Sequence, residues 1–263
     1  MLQCVSTIKT QKPENMKKIL FLAMFILFYV SAQAQSYKEG HLFGATINIG
    51  SGEFATAFSW SHYHGFGEKK RFKLGYGLRM SNYFGSNQDY RTAPAKYTSG
   101  KESFAALFSE DIVANFDTVS FKSVQANALN AGIYLSYTPK ILKDKLDIGV
   151  NIDAIGFSFG GKQQGFFRGE GVFNEANVGA KATPFNLLLI SDSDLGSLNS
   201  EWYLRYWLNE QWAVKIGYEF LFTEFTTDDK IQPIPNTNEF NDRFRRKSSM
   251  LMLGVQFAPF RKK

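Results

Sequence analysis

Nine charged residues stand at alternate positions inside stretches that are otherwise apolar, small or aromatic: Arg71, Lys73, Arg79, Asp147, Asp153, Glu201, Arg205, Lys215 and Glu219. A period of two places them on one face of an extended strand, with the apolar residues on the other. Two kinds of chemistry suit such a set. Around a water-filled bore they would form a selectivity ring for ions. In a narrow interior they would have to pair, because an unpaired charge removed from water is costly. Five are positive and four negative, so the expectation is a lumen charge network that closes on itself.

Other residue groups are weighed beside it. Arg243, Arg245, Arg246 and Lys247 form a basic run at the head of the last apolar stretch. Guanidinium forks bind phosphate in pairs of hydrogen bonds, so this run is a candidate glycolipid contact, or simply a solvated loop end. Asp192-Ser193-Asp194-Leu195-Gly196 has the flavour of a calcium loop without its acidic third ligand or spacing, and reads better as a turn. His62 and His64 flank Tyr63 on one strand face, but a third ligand is not placed by the sequence, so no metal site is expected. Ser61 and His62 are adjacent and therefore point to opposite faces, which rules them out as a catalytic dyad. No phosphate loop, zinc spacing or nucleophile elbow occurs. The expectation is no enzyme, no catalytic residue and no cofactor.

The elements that must carry these side chains are strands. Glu201–Phe225 shows the unit. Trp202, Leu204, Tyr206 and Leu208 alternate with Glu201, Tyr203, Arg205 and Trp207. Asn209, Glu210 and Gln211 turn the chain. Trp212, Val214, Ile216, Tyr218, Phe220 and Phe222 then alternate with Ala213, Lys215, Gly217, Glu219, Leu221 and Thr223. An apolar face of roughly ten residues with aromatics near its ends has the length of a transmembrane β-strand. Similar strands are expected at about His41–Ile49, Glu53–Tyr63, Arg71–Tyr83, Lys122–Tyr137, Leu146–Phe159 and Ser248–Phe257, with a bulge near Ile155 where the phase slips. That makes about eight; ten remains open. Four connections are short, the first of them (Gly50-Ser51-Gly52) where a long loop is allowed, and three are long: about Phe84–Phe121, Gly160–Ser197 and Thr226–Lys247. A short helix is expected at Ser103–Asn115, and Phe185–Ile190 is oddly apolar for a loop. After the first, short and long connections alternate along the chain, as they must if one end of a barrel carries turns and the other carries loops.

The fold class expected is all-β: an antiparallel up-and-down transmembrane β-barrel over residues 41–263, after a short segment 35–40. Residues 1–34 read as a signal peptide. Met16 is the expected start, Lys17 and Lys18 the basic region, Ile19–Val30 an apolar run too short to span, and Ala32-Gln33-Ala34 the cleavage site. The formal charge is +6. Lys9, Lys12, Lys17 and Lys18 against Glu14 account for +3 of it, leaving +3 on the exported chain, too little for a nucleic-acid partner. The single cysteine, Cys4, lies in the leader, so the mature chain has no disulfide.

With leader, alternation, connection parity and a last strand ending at Phe257, the chain resembles the small outer-membrane barrels of Gram-negative bacteria, of the OmpA-membrane-domain, OmpX and OmpW type, from roughly Gly40 to the end. The resemblance implies location in the cell outer membrane. It also implies contact with outer-membrane lipid and lipopolysaccharide, and insertion by the barrel-assembly machinery. The chain departs from that family in running on through Pro259-Phe260-Arg261-Lys262-Lys263. The function expected is structural or surface-interacting, with a partner met through the long loops. The alternatives are a channel for a small solute or hydrophobic molecule, as the OmpW-type likeness allows, and, less favoured, a lipid-modifying enzyme. Replacing Arg79, Arg205 and Lys215 together by Ser is expected to produce a cation-selective leak.

Overall fold

The computed structural model describes residues 39–99, 112–189, 194–235 and 237–259; the leader, most of the expected helix at Ser103–Asn115, and Asp192 and Ser193 lie outside them. Thirteen strands are described: β1 (Gly40–Gly50), β2 (Glu53–Phe66), β3 (Phe72–Thr92), β4 (Thr118–Tyr137), β5 (Leu146–Phe159), β6 (Gln163–Arg168), β7 (Ala176–Ala182), β8 (Phe185–Leu187), β9 (Leu198–Trp207), β10 (Trp212–Thr227), β11 (Gln232–Pro233), β12 (Phe240–Asn241) and β13 (Arg243–Phe257). Ala95–Thr98 forms one helical turn, and Val113–Asn115 and Leu142–Asp144 are 3₁₀ turns. Among the described residues no helix is long and apolar enough to cross a membrane.

Eight of the strands close into a ring. Each pairs antiparallel with the next in the order β1, β2, β3, β4, β5, β9, β10 and β13, and β13 returns to β1 through Phe43↔Phe257 to Ile49↔Leu251. Closure leaves this ring without the unpaired edge that an open sheet presents. The expected bulge is present: Ala131 faces Ile155 while Gly132 faces Asp153, so Ala154 is the extra residue.

The longer strands continue above the ring and close a second time. The β1–β2 hairpin turns early, at Ser51-Gly52, where Gly52 takes a left-handed backbone (φ +68°). Above that turn β3 meets β13 directly, through Arg91↔Arg245 and Thr92↔Phe244. On the far side β4 pairs with β6, β6 with β7, and β7 with β10. Strands β3, β4, β6, β7, β10 and β13 thus form a six-stranded ring stacked on the eight-stranded one. The short first hairpin is what lets it close. The long connections expected as loops are therefore partly strand: β3 runs nine residues past Tyr83, β4 begins at Thr118, and Gly160–Ser197 contains β6, β7 and β8.

The outward face of the lower ring is apolar. Ile47, Phe58, Leu78, Ile133, Ile155, Trp202, Ile216, Tyr218 and Leu253 are all exposed, whereas their inward neighbours are buried. On β3 the belt runs from Phe72 to Phe84. At about 3.3 Å per residue and a tilt near 40° that is a height of roughly 30 Å. Phe185–Leu189 belongs to this belt. β8 adds to β5 at Phe157↔Phe185 and Ile155↔Leu187, and Phe185, Leu187, Leu188 and Leu189 face outward beside Phe157. Asn186 points inward to Asn130 and Ser158.

Candidate functional site

The inward face of the lower ring gathers most of the expected charge network. Asp147 is its hub. One carboxylate oxygen accepts from Lys73 Nζ at 2.7 Å and from Thr138 Oγ1 at 2.5 Å. The other accepts from Arg205 Nε and Nη2 at 2.9 and 2.7 Å and from Trp207 Nε1 at 2.9 Å. A second knot lies further up. Arg79 is 3.1 Å from Glu201 and 3.4 Å from Asp153, and Lys215 also pairs with Glu201. Asn130 donates to Asp153, and Asn151 to Glu201. All of these charges are buried.

Two members of the expected set behave differently. Arg71 is not in the lumen: it lies at the rim, just before β3, and holds Asp144 at 2.7 Å and the Thr138 carbonyl at 2.9 Å. Glu219 is inward and fully buried, and among the described residues its hydrogen-bond donor is the amide of Asn199 rather than a cation. Aromatic rings fill the space between the charges. The Arg205 guanidinium lies 5.4 Å from the ring centres of both Tyr63 and Trp207, and Lys215 Nζ lies 4.2 Å from that of Tyr203. Tyr63 and Tyr203 hydroxyls meet at 3.1 Å. Gly149 makes room for this stacking, since a Cβ there would collide with the Tyr203 ring.

The lumen changes character in the upper ring. Tyr90, Phe121 and Phe225 form a triangle of rings with every pair of centres 5.2 Å apart. Val119, Phe167, Ala180, Leu221, Ile231 and Phe244 pack around them, all buried. At the opposite end Leu42, Tyr63, Tyr134, Trp207, Ala213 and Ala258 form a smaller apolar cluster. The interior is thus layered: an apolar base, a charged middle and an aromatic top.

The basic run is divided between two acids that sequence reasoning did not single out. Arg243 and Arg245 both grip Glu224, at 2.8 Å each, and both donate to the Asp194 carbonyl. Arg246 pairs with Glu53 at 2.9 Å, beside Tyr83 and Ser248. The strand alternation contained the signal for Glu224. It falls on the face of β10 that carries Tyr218, Phe220 and Phe222, so a charge there requires a cover, which Arg243 and Arg245 supply. Lys247 remains exposed. With Asp89 and Arg91 it lines a cleft of about 470 Å³ above the first hairpin.

Asp117, just before β4, packs under Gly169 and Glu170 where the β6–β7 hairpin begins its turn. Burial pushes its carboxyl up to about 6, only partly offset by the Glu170 amide that donates to it. As pH rises the unfolded carboxyl ionises first, near 4, while the folded one holds its proton to about 6. The hairpin therefore loses stability as pH climbs from about 4 to about 6. Amide exchange in β6, corrected for intrinsic rate, should be slower near pH 4.5 than near pH 7.5. Asp117→Asn should remove the difference.

Ser61 is buried against the Leu42 carbonyl while His62 faces outward, so the two do not form a dyad. Asp194 accepts from the Leu189 amide and serves a turn.

No protein-family model matches the chain, and no curated protein matches it in sequence. Among solved structures it is similar to Neisserial surface protein A, at 9% identity over 82% of this chain and 93% of that one, with a TM-score of 0.35. It is also similar to the attachment invasion locus protein Ail of Yersinia pestis, solved with sucrose octasulfate, at 10% identity over 83% and 95%, TM-score 0.28. A third is the toluene transporter TbuX of Ralstonia pickettii, at 9% identity over 87% and 92%, TM-score 0.25. With values this low, the fold assignment rests on the strand pairing of the chain itself.

Proposed function

We propose that the chain is an integral outer-membrane barrel with a structural or surface-interacting role, and that it does not conduct. The observation that carries this reading is the filled lumen inside an apolar belt. An eight-stranded barrel leaves an interior that side chains can fill, and a six-stranded ring leaves less. Here buried ion pairs occupy the middle and the Tyr90–Phe121–Phe225 triangle the top. A solute would have to displace both. The belt of roughly 30 Å gives the membrane setting, because exposed apolar surface of that extent has no stable place in water. The expected leader supplies export, and the barrel-assembly machinery would insert the strands.

The six-stranded ring then stands above the membrane with its loops, as a surface for partners. A glycolipid contact falls to the exposed Arg91 and Lys247 beside the cleft; Arg243 and Arg245 hold Glu224 there, and Arg246 holds Glu53. Fractionation of a Gram-negative host should place the protein in the outer membrane, with a mobility on gels that changes on heating. Recovery as a soluble periplasmic monomer would contradict the reading.

A further inference from the structure

All three histidines of the chain gather at one point on the outer surface, at the short-turn rim. His62 and His64 share a face of β2, and strand register sets His41 of β1 directly opposite His62. The ring centres of His41 and His62 are 4.5 Å apart, as are those of His62 and His64. Trp60 and Tyr76 wall the cluster on the same face. The fold thus sets a third histidine beside the two that the sequence placed on one strand face.

We propose that His41, His62 and His64 bind a divalent transition-metal ion of the zinc class. The first argument is distance. His41 Nδ1 and His62 Nδ1 are 3.3 Å apart, longer than the usual hydrogen-bond distance of about 2.9–3.0 Å. Two imidazole nitrogens bound tetrahedrally at about 2.0–2.1 Å from one ion stand roughly 3.3–3.4 Å apart. The two nitrogens already hold that spacing.

The second argument is the setting of the third ring. Among the described residues no three such donors converge on one point as they stand. The His64 side chain is 52% exposed and can turn toward the pair. Its Nδ1 lies 3.9 Å from the Glu39 carboxylate. A carboxylate that closes on that nitrogen as the ring turns would leave the other nitrogen for a metal. Glu39 is itself held by Lys70. On binding, the ion would take the His41 Nδ1 lone pair that now accepts from Trp60 Nε1 at 3.2 Å. With imidazole donors and no cysteine in the mature chain, the site suits zinc, copper or nickel rather than calcium or magnesium.

Titration of the untagged mature barrel with zinc chloride, followed by calorimetry in detergent, tests the site. One ion per chain is expected, with affinity at least about tenfold weaker in each of His41→Ala, His62→Ala and His64→Ala. Heat-modifiable mobility of each variant establishes that the barrel is folded. The proposal is overturned if the folded wild-type chain takes up no zinc, or if any one of the three substitutions leaves the affinity unchanged.

Discussion

Asp147→Ala should lower the unfolding free energy of the barrel by about 3–5 kcal/mol, more than any other single substitution in the charged layer. Asp147 pairs with both Lys73 and Arg205, and it also accepts from Thr138 and Trp207. Its removal takes this counter-charge from two cations that have no exposed surface. The cost is the desolvation of those cations, which pairing now offsets, rather than the intrinsic worth of the bond. Asp147→Asn keeps the shape and one acceptor oxygen but not the charge, and should fall between. Reversible unfolding in denaturant, in detergent or vesicles, reads both. The exposed pair Lys96–Glu239 at the loop end is the contrast: Glu239→Gln should leave the unfolding curve where it was.

The second large effect concerns opening the lumen, and it should be strongly non-additive. The sequence alone suggests that Arg79, Arg205 and Lys215 replaced together by Ser would leak cations. The upper ring changes that expectation, because the aromatic triangle still blocks the bore above the charges. Phe121→Ala with Phe225→Ala should not open it alone either, since the ion pairs below remain. Each truncation should instead cost about 3–5 kcal/mol of stability through the cavity it leaves. Only the combination removes both the charged and the aromatic layers, and there Asp153, Glu201 and Glu219 would select cations while Lys73 still holds Asp147. Current in planar bilayers from the combined variant, and none from either parent, is the expected pattern. A leak from the cation substitutions alone would show that the aromatic layer does not seal.

Much of this architecture was legible because period-two patterning reports facing directly. Trp202, Trp212 and Tyr218 are outward and exposed, while Arg205, Lys215 and Glu219 are inward and buried, as alternation requires. The slip at Ile155 marked a real bulge. The second ring was not legible, for a physical reason. Its strands turn apolar residues inward and, on β3 and β4, exposed polar ones such as Asp89, Arg91 and Lys122 outward, the reverse of the belt below, so Tyr90, Phe121 and Phe225 sit among polar residues. Its closure also depends on β3 meeting β13, a pairing far apart in sequence that no local pattern encodes. The same holds for the partners of the basic run. Arg243 to Lys247 looked like one patch, yet Glu224 and Glu53 divide it, and only register shows which acid each arginine reaches. Parity misled at Arg71, which continues the inward set of β3 but lies one residue outside the strand, where Asp144 draws it to the rim.

The central claim is that this barrel is closed along its length. The most direct test is conductance of the purified, unmodified protein in a planar bilayer. The layered lumen predicts no steady ion current across the voltage range that the bilayer tolerates. A large, stable current from the unmodified barrel would contradict it.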